Sequence, residues 1–232
     1  MAESNRAEGR SIYGGQDPAE MPAYTIPEAA QWLRVPFSTV RAWLLGQSGF
    51  EPVIGIADRS SKTLSFRNLV ELHVLTAIRR DHHVPMQRVR NAVDFVRRQL
   101  DVPHPLANIR LLTDGRDLLV HAYEQYLNVS RGGQMELREL VQVYLNRVEH
   151  DTRGPVRLFP FSHKNILEDP RTIAIDPRLQ FGRPCLAGTG IPTAEIADRY
   201  KAGEGIASLA SDYGRPSGEI EEAIRYELPL AA

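Results

Sequence analysis

The chain has 232 residues, 42% of them hydrophobic and 25% charged, with a formal net charge of −1 and one cysteine. These values suit a globular protein of one large or two small domains; a single cysteine excludes an internal disulfide and any cysteine-rich zinc motif. No apolar stretch approaches the length of a membrane helix, and the opening "MAESNRAEGRSIYGGQDPAEMPAY" lacks the apolar core of a secretory signal, so a cytoplasmic protein is expected.

Charge is segregated along the chain. Residues 24–110 hold 12 Lys and Arg against 7 Asp and Glu, whereas residues 161–232 hold 8 against 11. A basic part that faces nucleic acid and an acidic part with another task fit that division.

Residues 1–22 read as a flexible N-terminus. In "YTIPEAAQWLRVPFSTVRAWLLG", Thr25 and Glu28 form a capping box, Pro27 suits a first turn, and Ala29, Ala30 and Leu33 supply an apolar face, predicting a helix from about Pro27 to Arg34. Pro36 then disfavours helical geometry at Val35. Val40, Trp43 and Leu44 resume helical spacing before Gly46, a C-cap. Two short helices around a tight turn form a helix-turn-helix, whose second helix presents its N-terminal residues to base edges and phosphates. Arg34, Ser38, Thr39 and Arg41 are therefore candidate DNA contacts, with Trp43 packed inside.

"FEPVIGIADRSSKTLSF" reads as an extended, turn-rich stretch with Arg59 and Lys62 at a hairpin tip, a basic wing. "RNLVELHVLTAIRRDHHVPMQRVRNAVDFVRRQL" predicts two further helices. The second carries Met86, Val89, Val93, Val96 and Leu100 on one face and Arg88, Arg90, Arg97 and Arg98 mostly off it, on a solvated side. Helix-turn-helix, wing and following helix together, over roughly residues 23–100, resemble the MerR-like winged-helix family. The run Arg41-Ala42-Trp43 replaces that family's arginine-tyrosine-tyrosine, so only Arg41 carries over as a base contact, and the cysteines of its metal sensors are absent.

Residues 101–168 form a connecting module. Asp114-Gly115 between apolar runs predicts a hairpin, Leu137, Leu140, Val141, Tyr144 and Val148 share a helical face, and "GPVRLFPFS" reads as a strand.

Residues 169–232 hold "FGRPCLAGTGIP" and three predicted helices, about Thr193–Ala202, Gly205–Asp212 and Ser217–Glu227, with Thr189 or Thr193 capping the first and Ser217 the last. Ile220, Ala223, Ile224 and Leu228 are core candidates, and the carboxylates of "SGEIEEAIRYEL" oppose DNA contact and favour a protein partner. Gly188-Thr189-Gly190 lacks the lysine of a phosphate loop, Cys185 reads as a small buried hydrophobe, and His73 with His82-His83 completes no metal pattern. Asp176-Pro177, Gly182, Pro184, Gly188, Thr189, Ile191 and Pro192 resemble the pattern of the domain-of-unknown-function family 433, with Gly190 where that family has arginine.

The fold expected is mainly α with small β elements (α+β): a winged helix-turn-helix, a central hairpin and helix module, and a trihelical C-terminal domain. The combination resembles VapB-type antitoxins of bacterial type II toxin-antitoxin pairs. That resemblance implies a homodimer that represses its own operon through double-stranded operator DNA and neutralises a PIN-domain ribonuclease toxin by direct binding. It implies no enzyme activity, catalytic residue, metal or cofactor. A stand-alone MerR-like regulator and an interaction protein that does not bind DNA are the alternatives.

Overall fold

The computed structural model describes residues 13–47, 49–80, 86–108, 139–163 and 165–228. The predicted hairpin around Asp114-Gly115, together with Leu137, His82 and His83, lies outside them.

Helix α1 spans Ile26–Trp32 and opens on the expected capping box: Thr25 Oγ1 accepts from Glu28 N–H while Glu28 accepts from Thr25 N–H at 2.8 Å. Helix α2, Phe37–Leu45, starts after Pro36 and ends at Gly46, whose φ of +77° turns the chain out of the helix. Its buried face is Val40, Trp43 and Leu44. The following segment is tied to α2 where Val53 and Ile54 N–H donate to the Trp43 carbonyl, and it folds back through an antiparallel bridge between Asp58 and Thr63.

Helices α3 (Phe66–Arg80) and α4 (Met86–Leu100) complete the N-terminal half. Val89, Val93, Val96 and Leu100 are buried on α4 as their spacing predicts, and Met86 packs at the edge. Two arginines of α4, Arg90 and Arg97, are less solvated than expected, whereas Arg98 is exposed. Arg90 is buried, donates at 2.6 Å to the Glu51 carbonyl and lies over the Phe50 ring, and Arg97 reaches the Val53 carbonyl. Their long stems let cationic heads brace the carbonyls at the base of the wing, which lack strand partners.

A short 3₁₀ turn at Pro105–Ala107 packs on α3 and α4. Helix α5, residues 139–145, buries Val141 and Tyr144, but Val148 opens strand β1 instead of extending the helix. Strand β1 (Val148–Asp151) pairs antiparallel with β2 (Gly154–Leu158). Residues 13–20, grouped with the terminus on composition, are anchored: Tyr13 Oη donates to the Pro177 carbonyl, Ala19 is buried, and Asp17 and Glu20 pair with Arg67.

Strand β3 (Ile173–Ala174) pairs with β4 (Cys185–Leu186), and a bridge between Leu158 and Ile175 joins β2 to this second ribbon. Helices α6 (Thr193–Lys201), α7 (Ile206–Tyr213) and α8 (Ser217–Glu227) follow at the predicted positions. The caps differ. Pro192 and Pro216 occupy the N-cap positions without side-chain capping bonds, and Ser217 begins the helix as its first helical residue. Thr193 instead donates to the Pro184 carbonyl, and Thr189 Oγ1 accepts from Ile191 N–H within the turn. The prolines pre-set the entry dihedral, so a side-chain cap is not needed to start either helix.

Leu186, Ile196, Leu209, Ile220, Ala223 and Ile224 make a separate small core. A larger core runs from Ala19 to Ile175 and includes Tyr226 of α8.

Candidate nucleic-acid interface

Four residues, 33–36, connect α1 to α2. Arg34 takes a left-handed φ of +54° and Pro36 fixes the start of α2, so the connection is a tight turn. Ser38 and Arg41 stand exposed on α2, Thr39 is half-buried, and Trp43 is buried behind them. Hydroxyls and a guanidinium thus occupy the outer side of the helix, and apolar groups the inner side.

The wing tip is built by Asp58. Its carboxylate accepts from Ser60 N–H at 2.8 Å and from the Ser60 and Ser61 hydroxyls, which holds its carboxyl down to about 2. Lys62, at φ +57°, closes the turn, leaving Arg59 and Lys62 exposed. Below the tip, Asn68 at the start of α3 donates to the Gly55 carbonyl and accepts from Ala57 and Ser65 N–H. The tip is therefore presented on a hydrogen-bonded base.

Arg34 is placed differently from the other candidates. One of its terminal nitrogens donates to the Arg225 carbonyl at 2.9 Å, and the guanidinium lies over the Tyr226 ring. Those interactions are with α8, so Arg34 braces the C-terminal unit against the helix-turn-helix. Tyr226 Oη adds a bond to the Trp32 carbonyl at 3.0 Å. Sequence patterning could not expose this role, because residues 34 and 225 meet only in the folded chain.

The glycine-proline turn also meets the first domain. Gly182, at φ +76°, lies so close to the buried Tyr24 side chain that a Cβ there would stand 2.8 Å from the phenol Cζ. Just before it, Gln180 and Phe181 both adopt left-handed φ, and Phe181 is 74% exposed. Two consecutive non-glycine residues in that region are costly, and the strain holds an apolar ring in solvent. Cys185 is buried, and burial pushes its thiol up to about 11, which suits packing and disfavours a thiolate nucleophile. The Asp176-Pro177 turn is clamped by Arg178, whose Nε and Nη2 reach both carboxylate oxygens of Asp176.

His73 is buried, its Nε2 lies 3.1 Å from the Tyr144 carbonyl, and its ring stacks on Phe161. Burial drives it down to about 3, so it is neutral at ordinary pH. It is a packing residue. Among the described residues no group of three His, Cys, Asp or Glu is arranged to hold a metal, and no helix is long and apolar enough to cross a membrane.

Residues 22–93 match a family described as "Putative DNA-binding HTH domain", and residues 173–226 match "Protein of unknown function (DUF433)". Over 88% of its length the chain is 28% identical to "Putative antitoxin VapB45" of Mycobacterium tuberculosis, of which it covers 93%. It is 25% identical to "Uncharacterized protein Rv2308" of the same organism, with 88% of this chain and 89% of that one aligned. The crystal structure of Rv2018 from Mycobacterium tuberculosis superposes with a TM-score of 0.68 at 26% identity, covering 88% of this chain and 98% of that one. The chain thus joins a helix-turn-helix domain to a family-433 domain, and its homology to the VapB45 protein runs through both.

Proposed function

We propose that the chain is the antitoxin of a type II toxin-antitoxin pair, a homodimer that represses its own operon and neutralises a PIN-domain ribonuclease by direct binding. The observation that carries the DNA half is the exposure of Ser38 and Arg41 on α2, with Arg59 and Lys62 exposed at the wing tip. Arg41 supplies a bidentate fork for guanine or phosphate, Ser38 and Thr39 serve phosphate oxygens or base edges, and the wing pair neutralises backbone charge. Homology to a protein named as an antitoxin supports the toxin half.

Fluorescence anisotropy with DNA from upstream of the chain's own reading frame tests the first half. Arg41→Ala weakens binding by about tenfold or more. Loss of Arg59 or Lys62 lowers the slope of log K against log salt by about one each. Unchanged affinity for Arg41→Ala removes α2 from the interface.

For the second half, the product of the adjacent reading frame is assayed for ribonuclease activity with and without this chain. Inhibition and co-purification are expected, and full nuclease activity in the presence of excess chain refutes the reading. Phe181 is the proposed anchor: Phe181→Ser weakens capture of the ribonuclease and leaves DNA affinity unchanged, because the ring lies on the family-433 turn.

A further inference from the structure

A cavity of about 490 Å³ opens between the helix-turn-helix and the central module. That size lies in the range of small-molecule sites. Its walls come from elements far apart in sequence: the α1–α2 turn, α2, α3, α5 and the segment after β2.

One wall is aromatic and already assembled. Tyr144 meets Phe161 edge-on at 4.8 Å, His73 stacks on Phe161 at 5.5 Å between centroids, and Arg147 lies over the Phe161 ring at 4.5 Å. Trp43 of α2 adds a further aromatic face. Rings held this way keep their positions without a ligand, so little ordering cost remains for a flat guest.

The charged groups on the lining are cationic. They are the guanidiniums of Arg34 and Arg79, and no carboxylate is among the described lining residues. Arg34 Nε is buried and has no acceptor, although the terminal nitrogen of the same side chain is satisfied by the Arg225 carbonyl. Arg34 lines the cavity with its guanidinium fixed by the Arg225 carbonyl, and a fixed cation beside an apolar wall attracts an anion. An apolar aromatic wall beside a fixed guanidinium selects for one ligand class.

We propose that this cavity binds a small aromatic anion, a carboxylate or sulfonate whose ring lies against Tyr144, Phe161 and Trp43 and whose oxygens accept from Arg34. Thr39 and Trp43 line the cavity from α2, so occupancy alters the helix that presents Ser38 and Arg41. The coupling to DNA rests on the DNA-binding reading of α2, whereas ligand binding does not.

The probe is 8-anilinonaphthalene-1-sulfonate, titrated into the folded full-length chain by calorimetry and fluorescence, with the uncharged N-phenyl-1-naphthylamine in parallel. Saturable binding at one sulfonate per chain is expected. Thr76→Trp fills the cavity from α3 and weakens both probes by about tenfold or more. Should Thr76→Trp fail to fold, Thr76→Leu, a smaller filler, weakens both in the same sense. Arg34→Met weakens the sulfonate by about tenfold and changes the uncharged probe by less than about twofold. Non-saturable binding, or a Thr76 variant that folds and binds the sulfonate unchanged, overturns the site. Equal losses of both probes in Arg34→Met overturn the anion preference. Saturating sulfonate shifts the affinity for upstream DNA in the parent chain and not in Thr76→Trp; no shift in a parent chain that binds both DNA and probe overturns the coupling alone.

Discussion

Replacing Gly182 by alanine tests whether the glycine-proline turn fastens the family-433 domain to the helix-turn-helix. Two costs add at this position. The residue sits at φ +76°, where a Cβ costs about 1–2 kcal/mol. The new methyl would also meet Tyr24 Cζ at 2.8 Å and Cε1 at 3.0 Å, with the hydroxyl closer still. Tyr24 is 1% exposed and packs edge-on against Trp32 at 5.6 Å, so its ring has nowhere to go, and overpacking of this kind adds about 1–3 kcal/mol. Gly182→Ala therefore loses about 2–5 kcal/mol. Gly188 is an internal control: its φ is +74°, but a Cβ there meets nothing within 4 Å, so Gly188→Ala loses only about 1–2 kcal/mol. Thermal denaturation of the two variants reads the difference directly, at about 2–4 °C per kcal/mol for a chain of this size. Tyr24→Phe supplies the second axis of a cycle. The Tyr24 hydroxyl is buried without a hydrogen-bond partner, so removing it alone changes stability by less than about 1 kcal/mol. In combination it recovers part of the Gly182→Ala loss, because the nearest clashing atom is gone. If Gly182→Ala is no worse than Gly188→Ala, or if Tyr24→Phe rescues nothing, the Tyr24 contact is not what holds the turn.

Two more predictions concern buried ionisable groups. His73 binds a proton with an ordinary value of 6.5 when unfolded and about 3 when folded, so between those limits the unfolded chain holds more protons and stability falls on acidification. The slope is up to about 1.4 kcal/mol per pH unit, and His73→Leu removes that component; an unchanged pH profile in the variant, measured by urea unfolding from pH 7 to about 4, refutes it. Arg147 pairs with Asp169 at 3.1 Å, and the Asp169 side chain is 0% exposed. Arg147→Met leaves that carboxylate without a counter-ion, held only by the Ser162 N–H and hydroxyl and the His163 N–H, and lowers stability by about 3–5 kcal/mol in the same unfolding assay, whereas a loss below about 1 kcal/mol refutes the pairing.

Much of the local structure was legible in the chain's own chemistry. The Thr25–Glu28 capping box, the apolar stripe of α4, Gly46 as a C-cap and the three C-terminal helices all depend on residues within a few positions of one another. The wing tip was readable for the same reason, since Asp58, Ser60 and Ser61 bond locally. The apolar repeat that runs past α5 predicts a helix at Val148, whereas the pairing of Val148 with Leu158 across β1 and β2 ends that helix. Arg90 and Arg97 of α4 read as solvated because the carbonyls they reach lie some forty residues earlier, although Arg97 also pairs with Asp94 inside the helix.

By itself, then, the sequence determined which segments are helical, which faces are apolar, and that Ser38, Thr39 and Arg41 open a helix after a tight turn, because propensity, capping and periodicity act over one or two turns. Only the tertiary structure decided that Arg34 braces α8, that Gly182 seats against Tyr24, and that Trp43, Tyr144 and Phe161 enclose one cavity. Each of those contacts joins residues more than a hundred positions apart or depends on which carbonyl or ring the packed core leaves within reach. No local pattern encodes that geometry.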